Sequence, residues 1–158
     1  MKSDLQIDRH IGDVVVGNLT VNSETKPGDV EPLFRLGAEI PVRVLRETIP
    51  CMFATATVED SPRRIKVDLR FERDVLISIF FELLDEETRY PDSRSYFESQ
   101  TERYDEHLQW LRKKLGSNQD SYTQYRWGLV GVANGKGGEV HIFIHNRNNL
   151  WAGNVSRG

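Results

Sequence analysis

Cysteine is almost missing from this chain. Cys51 is the only one among 158 residues, so no internal disulfide forms and the chain suits a reducing compartment. Long apolar runs are missing as well: Asp4, Asp8, Arg9 and Asp13 interrupt the first 20 residues, which leaves neither a signal peptide nor a spanning helix. The cytoplasm is the expected compartment, and the triplets Asn18-Leu19-Thr20 and Asn154-Val155-Ser156 are then chance matches to a glycosylation acceptor. Nor is there a surplus of positive charge. A formal net charge of -3 and a pI near 5.8 argue against nucleic acid as the partner.

The recurring signatures of catalysis are absent too. No GxSxG elbow, HExxH helix, calcium loop or CxxC pair occurs. The stretch NGKGG at 134–138 fails two nucleotide-binding patterns: Lys136 is followed by Gly137 rather than Ser or Thr, and the loop joins strand to strand, not strand to helix. Asn134-Gly135 is instead a favoured hairpin pair, extended by Gly137 and Gly138. His141 and His145 stand about 13 Å apart along a strand, too far to share a metal ion. Neither a cofactor nor a metal is expected. Cys51 follows Pro50 in a strand-like run with no cation beside it, which suits a small buried hydrophobe. Nothing in the chain supports catalysis.

What is present is an ordinary globular composition, 38% hydrophobic and 28% charged, with no repeat or low-complexity tract. One α+β domain over 1–158 is expected, with 1–12 and 150–158 as irregular tails. The β-branched run at 13–21 predicts a strand bent at Gly17, and Asp29 predicts the cap of a short helix reaching Gly37, with Val30, Leu33 and Phe34 inward. Period-two alternation predicts strands at 42–46, 51–59 and 64–72. The run VLISIFFELL at 75–84, apolar on both faces, predicts a central strand covered on both sides. Two further strands, 125–133 and 139–146, flank the glycine turn. On the second, Val140, Ile142 and Ile144 face the core while His141, Phe143 and His145 face the other way. The expected sheet is mainly antiparallel, with one long helix on one face and a terminal hairpin.

That helix is marked at both ends. Ser95 and Glu98 form a capping box, Arg112, Lys113 and Lys114 suit the negative end, and Gly116 supplies a left-handed stop. Phe97, Tyr104, Leu108, Leu111 and Leu115 fall within about 60° of arc and predict the face packed on the sheet. Tyr96, Arg103, His107, Trp110 and Lys114 cluster roughly 110° away, so Tyr96, Arg103 and Trp110 form a candidate partner-binding or dimer face. The competing arrangement stacks Arg103 between the rings or lays a chain end over them. Beside it Glu98, Glu102, Asp105 and Glu106, with Asp85, Glu86, Glu87 and Asp92 in the preceding loop, predict an acidic surface for a basic partner. Arg64, Lys66 and Arg70 form a basic strand face interrupted by Asp68 and Glu72.

No specific motif ties the chain to a family. In size and organisation it is similar to small bacterial proteins that bind and neutralise a toxin, which implies a non-enzymatic cytosolic protein-binding module of immunity type. The alternative is a small-ligand protein or enzyme with a pocket between helix and sheet, using His141, His145, Arg103 or Tyr104. A homodimeric structural component is the third reading.

Overall fold

The computed structural model describes residues 5–84, 89–116 and 119–152. At the amino end, short β-branched runs build a small antiparallel sheet from β1 (Leu5–Ile7), β2 (Val14–Val16) and β3 (Leu19–Val21). The expected bent strand at 13–21 is thus a hairpin: Gly17 takes φ 62°, a left-handed angle that glycine adopts at no steric cost, and reverses the chain. Leu5 and Ile7, expected in an irregular tail, are buried strand residues.

The expected helix at 29–37 does not form. One helical hydrogen bond, Phe34 N–H to Val30 C=O at 2.9 Å, follows a 3-10 turn at Pro27–Asp29, and the chain then extends into β4 (Arg35–Leu36). Asp29 accepts the Lys26 N–H at 2.9 Å instead of capping a helix beyond it. A single turn fixes many dihedrals for one bond and Pro32 offers no donor, so strand pairing of Arg35 and Leu36 with Thr55 and Ala54 prevails. Val30 and Phe34 are buried as expected, whereas Leu33 is exposed.

Alternation then dictates β5 (Ile40–Val44), β6 (Glu47–Asp60), β7 (Arg63–Glu72) and β8 (Val75–Leu84), each antiparallel to the one before. Ala54, Ala56 and Val58 of β6 and Ile65, Val67, Leu69 and Phe71 of β7 point into the core. A bulge interrupts the last pairing: Phe71 stands opposite Leu76 and Arg70 opposite Ser78, leaving Ile77 as the extra residue.

Among the described residues there follow α1 (Ser93–Glu98), α2 (Gln100–Leu115), β9 (Tyr122–Tyr125), β10 (Gly128–Asn134) and β11 (Val140–Asn146). The helical run breaks at Ser99, so Ser95 lies inside α1 and the cap is Asp92, which accepts the Ser95 N–H at 2.7 Å. Gly116 ends α2 in the left-handed conformation, as expected. The strand expected at 125–133 turns at Arg126 and Trp127, which adds β9 as an edge. The main sheet runs β4-β6-β7-β8-β11-β10-β9, with β5 also on β6. Its inner face carries α2 and the small sheet; Leu111 and Leu115 join Phe81, Val130 and Ile142 in one core.

The glycine-rich tip closes as a hairpin, Gly135 N–H to Glu139 C=O at 2.8 Å, and docks on the helices. Gln100 Nε2 donates to Gly135 C=O at 2.9 Å and Arg103 donates to Gly138 C=O. Gly138 takes φ 91°, and a Cβ there would stand 3.2 Å from Phe97 Cα. Gly138→Ala is therefore expected to lower stability by about 2 kcal/mol, read as a drop in urea midpoint; an unchanged midpoint would refute the docked tip.

Candidate functional site

The helix face expected to meet a partner is turned inward at Arg103 and His107, while Tyr96 and Trp110 stay half-buried. Arg103 is 3% exposed and His107 equally buried. The Arg103 guanidinium lies 3.7 Å from the Tyr96 ring centre and donates to Ser99 Oγ and the carbonyls of Tyr96 and Gly138. His107 Nε2 accepts the Leu83 N–H at 3.1 Å, and its Nδ1–H donates to Arg103 C=O at 2.7 Å. Trp110 Nε1 donates to Asp60 at 2.7 Å, and Lys114 bridges Asp60 to the Leu5 carbonyl. Arg103 stacks on Tyr96, as the competing arrangement has it, while Trp110 stays half-buried beside a hollow that it lines with Gln6, Asp60 and Lys114. Phe97, expected in the core, is 56% exposed.

The glutamates of the acidic side are matched within the chain. Glu98 pairs with Arg94 at 2.9 Å, Glu102 with Arg89 at 2.9 Å, and Glu106 with both Arg63 and Arg89. The Arg89 and Arg63 guanidinium groups hold the Glu106 carboxyl below its ordinary range despite its partial burial. Asp85, Glu86 and Glu87 lie outside the described residues. With Glu98, Glu102 and Glu106 neutralised, the pull on a basic partner is weaker than composition implies.

A hollow of about 1000 Å³ opens between α2, β1 and the turn from β6 to β7, but Tyr104, His141 and His145 do not line it, and they stand on opposite sides of the sheet. Tyr104 packs against the core, whereas His141 and His145 project from the outer face of β11. That outer face is where the main sheet stays uncovered. Arg70 of β7, Ser78 and Phe80 of β8, and Phe143 and His145 of β11 form the floor of a groove of about 1130 Å³. The bulge turns Ile77 toward the groove beside Ser78. Val42 to Val44 stand on one side, Tyr122 and Gln124 on the other, and Trp151 at one end.

The floor is tightly wired. His145 Nδ1 lies 2.7 Å from Ser78 Oγ and 3.2 Å from Asn149 Nδ2. The Asn149 amide is oriented by the Ala152 N–H, which its oxygen accepts at 2.9 Å, so Nδ2 faces the ring as a donor. Nδ1 is then the acceptor, and Ser78 Oγ donates to it. Ser78 is 1% exposed, so this pair orders the floor and offers no accessible nucleophile. Arg70 pairs with Glu72 at 3.1 Å, and its Nη2 reaches Cys51 Sγ at 3.7 Å, a cation beside the thiol that only the pairing of β6 with β7 supplies. Glu72 Oε2 accepts the Trp151 Nε1–H at 3.2 Å, holding the carboxyl-terminal turn against the groove.

Burial pushes the His145 imidazole down to about 4, and His141 and Arg70 add repulsion. Burial also lowers His141, against the attraction of Glu139. An unfolded histidine titrates near 6.5, so on acidification the unfolded chain takes the proton first. Stability is therefore flat above about pH 6.5 and falls as pH drops from there toward 4, by on the order of 2 kcal/mol for His145. Urea unfolding at both ends of this window should show that slope in the wild type and a shallower one in His145→Gln. Equal slopes would refute the assignment.

Sequence alone pointed to the parity of His141, Phe143 and His145, and to Arg70 as part of a basic strand face, but not to the groove. Arg126, Trp127 and Arg147 lie in turns and Trp151 in a helical stretch at 150–152 too short to show a period.

No family model matches the chain, and no curated protein matches it in sequence. Among solved structures the chain is similar to one in "Rhs1-CT in complex with cognate immunity protein RhsI1", with a TM-score of 0.59 and 13% identity. The superposition covers 97% of this chain and 93% of that one. The fold is shared. It is a mixed α/β fold with a mostly antiparallel sheet. No helix among the described residues is long and apolar enough to cross a membrane.

Proposed function

We propose that the chain is a non-enzymatic protein-binding module of immunity type, acting in the cytoplasm, and that its partner docks on the outer face of the main sheet. The observation that carries this reading is the fold likeness over nearly the full length of both chains to a member of a complex with a cognate immunity protein. The uncovered sheet face supports the docking site: α2 and the small sheet occupy the inner face, and Tyr122 on the outer side is 66% exposed. Tyr96 and Trp110, which the dimer reading would use, are held by Arg103 and Asp60 within the chain, which favours the sheet face over them.

Affinity capture from the source cell extract tests this, comparing the wild type with Tyr122→Ala, Leu129→Ala. The expected result is a stoichiometric protein held by the wild type and lost by the double variant, whose toxicity to a bacterial host is relieved on coexpression. A partner bound equally by both chains would remove the sheet face from the proposal; a harmless partner would remove the immunity role.

A further inference from the structure

The groove has a charge of one sign. Arg43, Arg70, Arg126 and Arg147 line it, and no aspartate or glutamate does. Arg43 and Arg126 form no ion pair among the described residues, and Arg147 has only Glu24 at 4.0 Å. Arg70, at the floor, has a buried Nε without a hydrogen-bond acceptor there, so its fork is incompletely satisfied despite Glu72. Aromatic surface accompanies the charge: Phe80 and Phe143 on the floor, Tyr122, Trp127 and Trp151 around it.

We infer that this groove receives an acidic loop of the partner protein, an inference that rests on the protein-binding reading above. Arginine forks match carboxylates in two-point geometry, and the aromatic faces accept the apolar parts of the same loop. A polypeptide fits better than a nucleic acid strand. Asp68 and Glu82 lie on the same sheet face beyond Phe80, so a continuous polyphosphate running along the sheet meets carboxylates, whereas a short loop meets only arginines. The net charge of -3 also opposes a long polyanion.

Fluorescence anisotropy on the full chain tests the inference with three labelled probes: a short peptide rich in aspartate and glutamate with one tyrosine, its asparagine and glutamine counterpart, and an oligothymidylate of equal length. The acidic peptide is expected to bind, to weaken with added salt, and to bind about tenfold more tightly than its neutral counterpart. Arg43→Gln, Arg126→Gln, both at exposed positions and checked for an unchanged urea midpoint, should cost about tenfold in that affinity. No binding by the wild type, equal binding of the neutral peptide, or an unaffected double variant would overturn the inference. Tighter binding of the oligothymidylate would overturn it in favour of nucleic acid. The two proposals fail separately. A captured partner lost on Tyr122→Ala, Leu129→Ala but kept by the arginine variant sinks the acidic loop alone; acidic-peptide binding with no captured partner sinks the immunity role alone.

Discussion

Replacing Arg103 with methionine is expected to lower the unfolding free energy by about 3 kcal/mol, although the side chain touches no candidate ligand. Methionine fills much of the volume but donates nothing. The carbonyls of Tyr96 and Gly138 then lose the donor that the guanidinium gives them, at 3% residual exposure. A buried acceptor without its partner costs about 1–3 kcal/mol; Gly138 C=O is left so, while Tyr96 C=O keeps the Ser99 hydroxyl at 2.6 Å but its ring loses the stacked cation. Arg103→Lys keeps the charge but not the fork that reaches Ser99 and both carbonyls at once, so a loss of about 2 kcal/mol is expected. Urea unfolding gives the magnitudes, and amide exchange at 135–139 shows whether the glycine tip lifts off the helices. A cost below about 1 kcal/mol for methionine would mean that Arg103 does not clamp the tip.

The second large effect is at the other end of α2. Lys114 and Asp60, with side chains 13% and 9% exposed, pair at 2.7 Å, and Lys114 also donates to Leu5 C=O at 2.8 Å. Lys114→Met takes the ammonium from a nearly buried carboxylate that the Trp110 indole still contacts, and removes the tie to β1. Breaking a fully buried pair costs about 3–5 kcal/mol; with some solvent contact remaining, about 3 is expected. Asp60→Asn in the same chain should recover part of it, since the two changes remove one interaction and not two. A double variant as weak as the sum of the singles would show that the two residues act independently.

The strands at 63–72 and 75–84 are legible in sequence to within a residue, the first because its two faces alternate strictly and the second because a short β-branched and aromatic run is apolar on both faces. The Gly116 stop is legible because glycine takes the left-handed angle at no steric cost. The face of α2 is not. Leu111 and Leu115 are inside as expected, yet Arg103 and His107 are inside with them while Phe97 is out. Hydrophobicity counts arginine and histidine as surface residues. Their burial depends on acceptors and donors 35 and 24 residues away, Gly138 C=O and Leu83 N–H, which no local pattern announces. The 29–37 segment fails for a related reason: weak helix preference yields to pairing with β6.

Composition and periodicity by themselves determined a mostly antiparallel α/β chain with no disulfide and no apolar spanning helix, because those properties follow from residue type and spacing. Tertiary structure alone decided which surfaces remain free. Glutamates of α1 and α2 that looked available are matched by Arg63, Arg89 and Arg94, while arginines scattered from 43 to 147 converge on one groove that no carboxylate lines. Sheet order brings β7, β8 and β11 side by side across a helix and a hairpin, and the field at a surface is set by what lies near in space, not in sequence.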